Sequence, residues 1–69
     1  MTDDEIVFIK EKVIELLSQN KKGLSIDTII DYLDYVNKWS YSAEELTPIL
    51  GELISNEKIK MEDDVYFPI

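Results

Sequence analysis

The apolar period of this chain changes once, and late: it is helical from Ser42 to Asn56 and twofold from Lys58 to Phe67. Ser42 and Glu45 form a capping box ahead of Leu46, Ile49, Leu50, Leu53 and Ile54, which share one helix face. After Asn56, Ile59 and Met61 alternate with Lys58 and Lys60. Beyond an acidic turn of Glu62, Asp63 and Asp64, Val65 and Phe67 alternate with Tyr66. A helix that runs almost directly into a hairpin must share one core with it. With a turn of Glu62, Asp63 and Asp64, Met61 opposes Val65 and Ile59 opposes Phe67; both apolar pairs then face the helices and Tyr66 faces outward. Pro68 ends the strand. Pro48 leaves two readings of the helix itself. One is a single kinked helix from about residue 42 to 56; the other is a short turn followed by a helix that Thr47 caps and Pro48 begins.

Two more helical patterns precede this unit. Thr2 caps the first and Glu5 is placed to complete a capping box; Ile6, Ile9, Val13, Leu16 and Leu17 form its apolar stripe, and Asn20, Lys21, Lys22 and Gly23 end it. Phe8 lies off the centre of that stripe, about 100° from Ile9. Ser25 caps the second helix. Ile26, Ile29, Ile30 and Leu33 face the core, Asp27, Asp31 and Asp34 face solvent, and Tyr32 and Tyr35 flank the stripe. Asn37, Lys38, Trp39 and Ser40 break the pattern before the third helix, in a link longer than the tight turn of a compact helix-turn-helix.

Composition limits what such a unit can do. The 69 residues suffice for one domain with one small core, near the limit at which burial alone offsets chain entropy. Cysteine and histidine are absent, so no disulfide and none of the usual zinc ligands can staple the fold. The remaining carboxylates, lysines, serines and tyrosines form no nucleophile-base arrangement, and there is no glycine-rich phosphate loop; the chain reads as a non-enzyme without a cofactor, a metal or a small-molecule substrate. Glu62, Asp63 and Asp64 lack the alternating ligands and glycine of a calcium loop. No apolar run approaches a membrane span, and Asp3, Asp4 and Glu5 stand where a secretory signal would be basic, so a cytoplasmic protein or excised domain is expected.

The order of helix, short strand, helix, helix and hairpin, with LGELISNEKIK ahead of DDVYF, resembles the winged-helix superfamily over nearly the whole chain. The resemblance implies a mostly helical α+β domain over residues 1–69, a three-helix winged helix-turn-helix with a small carboxyl-terminal β-hairpin wing, in which Leu24 is a minor strand joining the wing. It further implies that the third helix can enter a DNA major groove while the wing touches phosphate. The positions that would do so here are Ser42, Glu44, Glu45, Thr47 and Pro48, with Glu62, Asp63 and Asp64 at the wing tip, and none of them is basic.

The net charge is −8, and the cations are all lysine. Without arginine the chain lacks the usual bidentate reader of guanine and phosphate, and Glu44 and Glu45 already occupy the positive end of the third helix. Binding to a protein partner, or self-association, is therefore the leading expectation. Its candidate contacts are Trp39 and Tyr41, with Phe8, Tyr32 and Tyr35 as lesser ones, because aromatics outside a helical core stripe are common interface anchors. Trp39 has an equally simple role in plugging a small core. DNA binding through Lys10, Lys12, Lys21, Lys22 and Lys38 is the alternative, and mimicry of a phosphate rail by Asp27, Asp31, Asp34, Glu44, Glu45 and Glu52 is a third.

Overall fold

In the computed structural model, which describes residues 2–69, three helices and a three-stranded antiparallel sheet follow the expected order: α1 (Asp3–Gln19), β1 (Leu24–Ser25), α2 (Ile26–Asn37), α3 (Ala43–Ser55), β2 (Ile59–Glu62) and β3 (Val65–Pro68). The carboxyl-terminal strand is central, in the order β1-β3-β2. Leu24 and Ser25 pair with Tyr66 and Val65, so the minor strand expected at Leu24 does join the hairpin.

The helical stripes meet in one core. Ile9, Val13 and Leu17 of α1, Ile29 and Leu33 of α2, and Leu46, Ile49, Leu50 and Leu53 of α3 are buried together with Ile59 and Tyr66 of the hairpin. Ile6, Leu16, Ile26, Ile30 and Ile54, at the margins of the same stripes, are partly buried against it. No polar residue is buried among those described, so the core relies on apolar packing.

Local chemistry sets the ends of each helix. Thr2, Ser25 and Ser42 accept from the backbone N–H of Glu5, Thr28 and Glu45. Only Ser42 and Glu45 complete the reciprocal box; the Glu5 carboxylate, expected to reach back to Thr2, accepts a hydrogen bond from Tyr41 instead. The third helix is continuous from Ala43 through Pro48 to Ser55, and no separate helix begins at Thr47. The Thr47 hydroxyl donates to the Ala43 carbonyl at 2.7 Å. Pro48 removes one donor to the preceding turn, on a side where Glu44 is exposed and water can serve its carbonyl. At the other end, Glu57 and Lys58 donate to Ile54 and Leu53, with Glu57 in the left-handed conformation (φ 59°) that usually selects glycine.

The hairpin register differs by one residue from the expected one. Asp63 and Asp64 alone make the turn, both with positive φ (51° and 62°), a geometry whose twist matches that of the flanking strands. Glu62 therefore belongs to β2 and pairs with Val65, while Met61 pairs with Tyr66 and Lys60 with Phe67. A one-residue slip exchanges the two faces of a strand. Tyr66 consequently turns into the core, with 7% of its surface exposed, and Val65 and Phe67 take the other face, half-buried. That second face is closed by backbone: Gly23, at φ +93°, lies so near that an added Cβ would be 2.5 Å from a Val65 methyl and 2.6 Å from the Phe67 ring. The Lys60 ammonium sits 5.8 Å from the centre of the same ring.

Candidate functional site

The aromatic residues outside the core stripes fall into two groups that the sequence does not distinguish. In the first, the five-residue link from Lys38 to Ser42 folds back on the domain. Lys38 takes a left-handed conformation (φ 59°), and the N–H groups of Lys38 and Trp39 both donate to the Leu33 carbonyl. This reversal lays Trp39 and Tyr41 against the core, each partly buried, with their rings edge to face at 6.4 Å and 67°. The Tyr41 hydroxyl donates to Glu5 at 2.6 Å, joining the link to the first turn of α1. Burial, the Glu5 hydrogen bond and the nearby Glu5 and Glu45 charges push the Tyr41 phenol up to about 12. Tyr66 also titrates above the usual tyrosine range, through burial and the charge of Asp64.

The second group lies on α2 and has no covering element. Tyr32 is 37% exposed, Tyr35 89% and Val36 58%. At 100° per residue, Thr28, Tyr32 and Tyr35 stack in one row along the helix, and Asp27, Asp31 and Asp34 form a second row beside it. Thr28, Asp31, Tyr32 and Tyr35 line an open groove of ≈ 220 Å³. Thr28 is held by the cap, its hydroxyl 3.0 Å from that of Ser25. Leu33 and Ile29 anchor the opposite side of the helix in the core, so the groove stands on a rigid element.

Phe8 is exposed on α1, apart from both groups, and Trp39–Tyr41 is the one aromatic pair among the described residues. The five sequence candidates thus separate into a partly buried pair, an exposed pair and a lone exposed ring. Val36 was not among them. Its position, seven residues after Ile29, places it near the core stripe. It is exposed because it occupies the last turn of α2, past the point where the core fills, and the breaker that begins at Asn37 is the signal that could have marked it.

The ion pairs among the described residues lie off α2. Lys10 bridges to Glu52 of α3 at 3.0 Å, Lys12 pairs with Glu15 at 3.6 Å, and Lys60 lies 3.9 Å from Glu62. None of these ion pairs involves Asp27, Asp31 or Asp34. Glu44 and Glu45 occupy the first turn of α3, and Asp63 and Asp64 the hairpin tip, so both elements present carboxylates outward. Among the described residues no helix is long and apolar enough to cross a membrane. No protein-family model, curated protein or solved structure matches the chain.

Proposed function

We propose that this chain is a non-catalytic docking module of the winged-helix kind, acting in the cytoplasm, which receives a protein partner on α2. The observation that carries this reading is the Tyr32, Tyr35 and Val36 surface. Large apolar side chains clustered in the open on a helix anchored by its opposite face are what a partner can desolvate at little cost in order. Trp39 and Tyr41 fasten the link that follows α2 to the core and to the first turn of α1, which holds the end of that helix in place. Duplex DNA suits the surface poorly. Two of the five lysines available to it are engaged with carboxylates, and the third helix and hairpin tip would add repulsion where affinity needs displaced counterions.

The test compares wild type with the Tyr35→Ala, Val36→Ala double variant, both shown to be folded by circular dichroism. The partner that wild type retains from an extract of the source cells should be lost from the variant. Equal retention by both would move the docking surface elsewhere. A mobility-shift titration showing salt-sensitive micromolar binding to duplex DNA would replace the reading with nucleic-acid binding.

A further inference from the structure

We infer that the α2 groove recognises a basic segment of a partner protein, with an arginine or lysine stem lying on the Tyr32 and Tyr35 rings and its charge against Asp31. The inference rests on the docking reading above and adds the chemistry of what docks. Its basis is the juxtaposition of two unlike rows on one helix. The tyrosine row offers apolar ring faces that attract a cation, and the aspartate row one position round the helix supplies a rail of negative charge along the same edge. A side chain that is apolar along its length and cationic at its end fits both rows at once. A purely apolar segment would leave the aspartates desolvated beside it, at a cost. An anionic partner, whether nucleic acid or an acidic lipid surface, would be repelled.

The occupant is not a second copy of this chain bound through the same face. Twofold pairing of α2 with α2 would set Asp27, Asp31 and Asp34 against themselves in a molecule that already carries a charge of −8. Heterologous self-binding would have to bring the exposed Lys21, Lys22, Lys38 or Lys58 of one copy to α2 of another, since Lys10, Lys12 and Lys60 are each held near a carboxylate, and it would do so between two molecules that each carry a charge of −8. The α2 aspartates, by contrast, have no cation of their own among those ion pairs, so a partner's cation displaces nothing internal.

The experiment follows backbone amide signals of the isotopically labelled full chain during titration with the amidated peptide acetyl-Leu-Arg-Leu-Arg-Leu, and separately with acetyl-Leu-Gln-Leu-Gln-Leu. The arginine peptide should shift residues 28–36 in a saturable, salt-weakened manner, and the glutamine peptide should bind there about tenfold more weakly. Asp31→Asn should close most of that gap, and Tyr35→Leu should weaken the arginine peptide while leaving the fold intact, since Tyr35 is almost wholly exposed. If the glutamine peptide binds the same residues equally well, cation recognition is wrong while the docking face survives. If the arginine peptide shifts Glu44, Glu45, Asp63 and Asp64 as strongly as α2, the effect is general acidity and the inference fails. Silence of α2 toward both peptides overturns the inference and the docking face together.

Discussion

Trp39 with Tyr41 and Tyr32 with Tyr35 are pairs of aromatic residues within ten positions of each other, both outside the apolar stripe of α2, yet their surroundings are opposite. The first pair is reached by a chain reversal that returns it to the core; the second projects from a helix whose buried face points away from it. Aromatic character alone therefore does not separate a staple from a docking surface. What separates them is whether the backbone after the helix turns toward the core, and here the left-handed Lys38 and the Leu33 carbonyl make it do so.

Removing the residue on which both regions depend should have the largest effect. Leu33→Ala takes a fully buried side chain out of α2 and should cost about 2–5 kcal/mol, enough in so small a domain to lose the cooperative melting transition by calorimetry. Trp39→Ala tests the staple directly. Because the ring is only partly buried, the loss should fall below that of a fully buried tryptophan, at about 2–3 kcal/mol in urea unfolding, with partner retention reduced only through stability.

Tyr41→Phe keeps the ring and removes the hydroxyl bond to Glu5, at about 1 kcal/mol near neutral pH. It should also change the alkaline limb of the stability curve. The folded phenol titrates at about 12 against 10.0 unfolded, so the fold holds the protonated form. Its contribution is intact below pH 10 and is lost as pH rises toward 12. Urea midpoints measured across that window should fall less steeply for Tyr41→Phe than for wild type; parallel curves would mean that neither burial nor the Glu5 bond holds the phenol protonated in the fold. The smallest expected change is Tyr35→Ala, within about 0.5 kcal/mol of wild type, because almost nothing of that side chain is buried. A larger loss there would erase the contrast between the two pairs.

The features legible from local pattern are those that form locally. The three stripes, the Ser42–Glu45 box and the position of the hairpin all depend on residues a few places apart, and the structure has each of them. Contacts between distant residues were legible only where the resemblance supplied them, as for Leu24 and the hairpin, and side-chain contacts were not. Glu5 has two partners within reach of its chemistry, the Thr2 N–H three residues away and the Tyr41 hydroxyl 36 residues away, and only the packed fold brings the second close enough to win. The register was missed for a related reason: a run of Glu62, Asp63 and Asp64 fits either turn length, and the choice falls to which strand face fits the core. Among the candidate contacts, Tyr32 and Tyr35 could be named from helical spacing, but their exposure, unlike the partial burial of Trp39 and Tyr41, depends on where the neighbouring elements end.

The strand at the centre of the sheet is the last of the six elements in chain order. Without Val65–Pro68, Leu24 has no partner across the sheet and the core lacks Tyr66, although the three helices and Ile59 supply the rest of it. Closing the sheet thus waits on a pairing between the second element and the last, a non-local contact of the kind that sets the pace of folding.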